Sequence, residues 1–312
     1  MKNNININWE EWDNWHKLPQ KLINDIADLI FKIITISFCD KKEIKILDVG
    51  TGTAIISAPL FKTLNDKLLK IGKKLIPIGV EKDEKVKERM FKNFKNNWGN
   101  NFEINEINSN DNFFQKIDSA SQRNSFFLFW KNVFEISDNY KFDVVFIIDF
   151  IHYLKKGERE NFINKIEKWF ENGSIVVLGI SGGDIKYIVG DENAVKGIPN
   201  GNHKNFWEEI HKKISREDNY LKEYLLPTDE ENIKKDFENS KYQEIASFYH
   251  FWNIKTTYKN ILEIYEKKAM SLFRISKAEF NEPSLSDFQG FLQNECWLFF
   301  SKKIYIYEYK KK

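Results

Sequence analysis

Cysteine is nearly absent: Cys39 and Cys296 are the two in 312 residues, far apart and with no CxxC or metal-type spacing. That removes a disulfide-stapled scaffold and a thiolate metal centre from consideration and suits a reducing compartment, so a cytoplasmic location is expected. The chain also lacks any run of eighteen uninterrupted apolar residues, so neither a spanning helix nor a membrane partner is expected. Its opening residues, MKNNININWEEWDNW, lack the basic start, apolar core and small-residue cleavage site of a secretion signal. An excess of one charge is missing too. With 48 basic against 46 acidic side chains the formal charge is +2, without the concentrated positive field of a nucleic-acid binder. Lysine runs such as Lys234-Lys235 and Lys310-Lys311-Lys312 read as solvated faces or tails. There is no internal repeat and no low-complexity linker, and this length buries an ample core without covalent staples.

What is present is an alternation of two hydrophobic periods. Leu22, Ile23, Ile26, Leu29, Ile30, Ile33 and Ile34 recur at the three-and-four spacing of an amphipathic helix over Leu18 to Phe38. The β-branched run Ile44 to Val49 then halts at Gly50, as a buried parallel strand does. Further strands are expected at Leu75 to Glu81, Phe102 to Ile107, Phe142 to Asp149 and Ser174 to Ile180, separated by helices at Ala54 to Lys74, Asp83 to Asn96 and Glu158 to Phe170. After Gly182-Gly183 the rhythm changes. A polar helix is expected over Asn205 to Asn219, and Thr228 with Glu231 forms a capping box opening a helix to about Lys241. A strand over Tyr242 to Thr257, helices around Asn260 to Phe273 and Leu285 to Asn294, and a strand over Trp297 to Tyr307 complete the pattern. Strands alternating with helices predict an α/β fold: a doubly wound, mostly parallel seven-stranded sheet with an antiparallel last strand.

The sharpest motif is ILDVGTGTAI, residues 46 to 55. An apolar strand delivers Asp48 to its end, and Gly50 and Gly52 let the backbone turn tightly and approach a ligand with no Cβ in the way. The next helix then turns its free N–H groups toward the same crevice. A bare GxG is weak evidence, since glycine turns follow strands in many α/β proteins. Glu81, closing the second strand, adds a carboxylate able to accept both hydroxyls of an adenosine ribose, although alone it is also an ordinary surface acid. Together they specify a nucleoside cofactor. Dinucleotide sites want a third glycine where Ile55 stands, and their acid lies about 20 residues on, closer than Glu81 is to Gly50.

On these residues the chain, over roughly Ile44 to Ile180, resembles the class I S-adenosylmethionine-dependent methyltransferases. The resemblance implies S-adenosylmethionine as cofactor, held by Asp48, Gly50, Thr51, Gly52 and Glu81, with Ser109 or Asn110 after the third strand toward the adenine and Asp149 at the crevice edge. Thr53 and Ala54 stand where members vary or carry another glycine. EIKILDVGTG, FDVVFIIDFIHYLKK, SIVVLGISGGD and PTDEENIKKDFENSKY are, in order and spacing, similar to the histamine N-methyltransferase branch. Departures from it are Asp149 and His152, where the amine-binding enzyme has an amide and an aromatic residue. There is also no clear acid near Leu18. The implied organisation is an N-terminal helical lid (1–40), a cofactor-binding core (41–182), and substrate-side insertions that complete the sheet (183–312).

Asp149-Phe150-Ile151-His152-Tyr153 ends the fourth expected strand, on the edge where open α/β sheets bind ligands. His152 has two readings, a general base or a hydrogen-bonded structural residue. Asp149 is a holder of a substrate cation or a helix cap, and Tyr153 a pocket wall. The Pro-Pro-aromatic signature of base-flipping amino methyltransferases is missing there, and so is the Pro-Cys nucleophile of cytosine-C5 enzymes. Trp9, Trp12 and Trp15, three in seven residues, suit a lid over an acceptor pocket. Phe248, Tyr249, Phe251 and Trp252 read either as pocket or as core. The expected activity is methylation of a small-molecule acceptor, preferably an amine, with no metal and no nucleic-acid partner. The alternatives are a protein or RNA methyltransferase and an inactive cofactor-binding module. Removal of residues 1 to 16 is expected to reduce turnover and leave cofactor affinity within a few fold.

Overall fold

The computed structural model describes residues 13, 16–100, 102–107, 124–187, 230–238, 241–257 and 295–311. Helix α1 (Gln20–Ser37) buries Leu22, Ile23, Ile26, Ala27, Ile30 and Ile34, the face its periodicity marks out. Strand β1 (Glu43–Val49) leads through the glycine loop to α2 (Ser57–Leu69), and β2 (Lys74–Glu81) through a short 3₁₀ turn to α3 (Lys87–Trp98). Then come β3 (Glu103–Ile107), β4 (Ser125–Trp130), β5 (Val144–Ile148), α4 (Lys156–Glu167), β6 (Ile175–Tyr187), α5 (Glu230–Glu238), β7 (Tyr242–Thr257) and β8 (Glu295–Tyr309). No described helix is long and apolar enough to cross a membrane.

The strands form one mixed sheet in the order β3-β4-β2-β1-β5-β6-β8-β7. Every pairing is parallel except the two that β8 makes with β6 and β7, so β8 alone runs against the rest. Because neighbouring residues of a strand face opposite sides, Ile46 packs in one apolar layer with α1, α2 and α3, and Leu47 in the other with α4 and α5. The Rossmann-like α/β fold is thus as expected. From β1 the chain moves outward to β2, and from β5 outward the opposite way, which puts the topological switch point between the C-terminal ends of β1 and β5.

Three features depart from the sequence reading. The sheet has eight strands among the described residues, not seven. The additional strand, β4, is the run Ser125-Phe-Phe-Leu-Phe-Trp130, which shows no alternation because both its faces are buried. It pairs with β2 and displaces Phe102–Ile107 to the sheet edge. In addition, β6 continues past Ile180: its pairing with β5 ends at Gly179, while its pairing with β8 goes on to Tyr187. A three-stranded ribbon of β6, β8 and β7 therefore rises beyond the C-terminal end of β5. The helices expected at Asn205 to Asn219, Asn260 to Phe273 and Leu285 to Asn294 lie outside the described residues.

Candidate functional site

At the end of β1 the chain stops being extended because Gly50 takes φ +70° and Gly52 φ +56°, values that favour glycine. The Gly50 and Thr51 N–H groups donate to the Val80 carbonyl (2.9 and 3.2 Å), which straps the loop to the tip of β2. Gly52 donates its N–H to Glu81 Oε2 (2.8 Å), while Glu81 Oε1 accepts from the Lys82 and Asp83 N–H groups (2.9 Å each). The two sequence signals, glycine loop and strand-tip acid, are therefore one hydrogen-bonded unit.

Asp48 lies beneath it, 4% exposed. Ser57, the first residue of α2, donates its hydroxyl to Asp48 Oδ2 (2.5 Å), and Thr51 donates its own to the Asp48 carbonyl (3.2 Å). Burial pushes the Asp48 carboxyl up to about 7; hydrogen bonds from Ser57 and Thr51 oppose the rise and the charge of Glu81 adds to it. This is a carboxyl poised to change charge near neutrality beneath the glycine loop.

On the other side of the switch point, Asp149 adopts φ +53° and donates its N–H to the Gly179 carbonyl (3.0 Å). Phe150 follows and lies against Gly50, so closely that a Cβ on that glycine would come within 2.4 Å of the ring. The ring also packs on Phe162 of α4 (centroids 5.4 Å apart). His152 and Tyr153 lie in the 3₁₀ turn Ile151–Tyr153, where Tyr153 is exposed. Asp149, read from the sequence as a holder of a substrate cation or a helix cap, accepts a hydrogen bond from the ammonium group of Lys302, which is 1% exposed. The Asp149 carboxylate is thus charge-matched within the protein by a buried lysine. Lys302 shares a register row with Ser181 and His250, directly beyond the apolar row of Gly179, Ile304 and Phe248.

Trp9, Trp12 and Trp15 lie outside the described residues, but Asp13 between them is described and buried. Its carboxylate accepts from the Thr53 hydroxyl, from Arg89 Nε and from Asn93 Nδ2 (2.9 Å for the last). Ser109 and Asn110 also lie outside the described residues. The strand paired with β2 is β4, whose Trp130 stands in register with Glu81. The Trp130 indole N–H is buried with no hydrogen-bond partner among the described residues, and the Lys87 ammonium lies 5.9 Å from the ring centroid. The sequence reading gave no role to Asp13, Lys302 or Trp130, and for none of them did a local signal name the partner.

No protein-family model matches the chain, and no curated protein sequence matches it significantly. Among solved structures it is similar to the YcgJ protein of Bacillus subtilis (12% identity, TM-score 0.42, 92% of this chain and 98% of that one). It is also similar to the magnesium protoporphyrin IX methyltransferase of Synechocystis PCC 6803 with bound S-adenosylhomocysteine (9%, 0.40, 90% and 82%). A third is the phosphoethanolamine N-methyltransferase 2 of Haemonchus contortus in complex with S-adenosylmethionine (14%, 0.35, 91% and 53%). At these scores the likeness assigns no function, which rests on the residues of this chain.

Proposed function

We propose that the chain is an S-adenosylmethionine-dependent methyltransferase acting on a small molecule, with an amine as the preferred acceptor. The observation that carries this reading is the Gly52–Glu81 hydrogen bond at the switch point, which unites a glycine loop with a strand-tip carboxylate. The residues fit the cofactor. A Cβ at Gly52 would meet nothing nearer than the Gly50 carbonyl oxygen at 3.9 Å, which leaves room for a ligand's ribose and methionine parts. Glu81 has three N–H donors on about four acceptor positions, so a ribose diol would engage it by sharing the Gly52 contact. Asp48, carboxyl near neutrality, would ionise beside the cofactor's ammonium group. Trp130 and the residues after it replace Ser109 and Asn110 as candidates for the adenine side, with a buried indole N–H in need of an acceptor.

The bound cofactor would supply an electrophilic methyl group. The protein would then have to align the acceptor, exclude water and take up the proton an amine sheds. Asp149 and Tyr153 border the acceptor side in this reading, with Asp149 and Lys302 as a charge-matched floor and His152 as the proton acceptor. Calorimetric titration with S-adenosylmethionine, S-adenosylhomocysteine and NAD, followed by methyl-release assays on a panel of amines, tests the proposal. Binding of NAD without the methyl donor would overturn the cofactor. Cofactor binding without turnover on any acceptor would favour an inactive module.

A further inference from the structure

Asp13 precedes the first helix of the sheet domain, yet it is 1% exposed. A carboxylate so placed survives only where donors meet it, and here a guanidinium, an amide and a hydroxyl converge on it from α3 and the glycine loop. The hydroxyl is that of Thr53. Its carbonyl is held as well, by Asn93 Nδ2 (2.9 Å), the same nitrogen that donates to Asp13. Thr53 is thus fixed at both ends by groups outside the loop. It directly follows Gly52, whose N–H binds Glu81, and directly precedes Ala54, which sits at φ +58°. A non-glycine residue keeps that conformation only where its surroundings over-determine it, and the Asp13–Thr53–Asn93 triangle is such a surrounding.

We propose that Asp13 is a positioning residue for the cofactor loop, so that the N-terminal segment sets the conformation of Gly52 to Ala54 and, through it, cofactor affinity. The inference rests on the methyltransferase reading. It reverses the sequence-based expectation that removing residues 1 to 16 leaves affinity within a few fold. That deletion also takes away the acceptor for Thr53, Arg89 and Asn93, so cofactor binding falls along with turnover.

The test is calorimetric titration of the full chain with S-adenosylhomocysteine, with melting temperature measured on each variant. Thr53→Val removes the loop's hydroxyl and leaves Asp13 with Arg89 and Asn93. It should weaken binding about fivefold, as loss of one hydrogen bond does, with melting lowered by a few degrees because Asp13 Oδ1 loses its donor. Thr53→Ser, which keeps the hydroxyl, should bind as the parent does. Asp13→Asn should weaken binding about tenfold or more, since the lost bonds are charge-assisted, and adding Thr53→Val to it should cost nothing further because both cut one link. If Thr53→Val and Asp13→Asn melt lower but bind the probe with parental affinity, Asp13 is merely structural and the proposal fails. If Asp13→Asn does not fold, the Thr53 pair decides alone. A parent that gives no heat with the probe removes the methyltransferase reading and this inference together, whereas a binding parent with equally binding variants removes the inference only.

Discussion

The two loop glycines share a positive φ, yet the same substitution should affect them in opposite ways. Alanine at Gly50 (φ +70°) places a Cβ 2.4 Å from Phe150 Cδ2 and 3.2 Å from two further ring atoms. The ring cannot simply swing aside, because it is packed against the core and against Phe162. The left-handed conformation costs alanine about 1–2 kcal/mol, and overpacking adds about 1–3 kcal/mol. The sum, about 2–5 kcal/mol, should lower melting by several degrees at about 2–4 °C per kcal/mol. Alanine at Gly52 (φ +56°) meets only a carbonyl oxygen at 3.9 Å, and Ala54 at φ +58° shows that this loop accommodates an alanine in that conformation. Its cost is therefore limited to about 1 kcal/mol of backbone strain. The open space it fills is, on the proposed reading, the space the cofactor would need beside Glu81, so S-adenosylhomocysteine affinity should drop at least about tenfold, or 1.4 kcal/mol. Thermal melting of the free protein and calorimetric titration measure the two effects separately. Phe150→Ala in the Gly50→Ala background should restore the collision part of the loss but not the strain. Parental melting of Gly50→Ala, or parental affinity of Gly52→Ala, would refute the reasoning.

Glu81→Ala should weaken S-adenosylhomocysteine binding about ten- to a hundredfold, the range of charge-assisted hydrogen bonds worth about 1.5–3 kcal/mol, without unfolding the chain; parental affinity would make Glu81 a surface acid. Asp48 in the folded chain keeps its proton up to about 7, whereas unfolded it loses the proton near 3.8, so its stabilising contribution is full below that lower value and is lost as pH rises to about 7. Urea unfolding should accordingly show Asp48→Asn gaining stability over the parent between pH 4.5 and 7.5, and a pH-independent difference would contradict the raised value. Lys302→Ala strands the Asp149 carboxylate and should cost about 3–5 kcal/mol, whereas Lys302→Met combined with Asp149→Asn should recover most of it; equal losses in single and double variants would show the pair to be unimportant.

The parts of the fold and site that could be read from the sequence are those whose cause is local. Gly50, Gly52 and the strand before them specify a turn by their own dihedral preferences, and Glu81 is placed by the end of its strand. The face of α1 follows from its period alone. Strand β4 was in principle readable as an apolar aromatic run, but a fully covered strand has no alternation to separate it from a helix fragment, so the strand beside β2 went unread. The continuation of β6 through Gly182-Gly183 had no local cause at all: seven β8 partners, Lys302 back to Cys296, hold Ser181 to Tyr187 extended.

Asp13 and Lys302 show what a sequence does and does not encode about a buried charge. Each stands against aromatic or apolar neighbours, Asp13 between Trp12 and Trp15 and Lys302 before Ile304-Tyr305-Ile306. Burial of such a charge is tolerable only with a partner, so the pattern implies that a partner exists. It does not say which. Asp13 is matched by Arg89, 76 positions on, and Lys302 by Asp149, 153 positions back. With 48 basic and 46 acidic side chains available, pairing is decided by sheet order and register, which are properties of the whole chain. Both ion pairs consequently join segments that the sequence keeps apart: the N-terminal segment to α3, where Asp13 also reaches the glycine loop, and β8 to the turn after β5. These junctions border the switch point, where the strands themselves diverge and no ladder hydrogen bond spans the gap beyond their ends. Across that gap the contact is apolar, Phe150 against Gly50, while the two ion pairs fix segments on either side of it, which is why residues absent from any local motif stand at the edge of the candidate site.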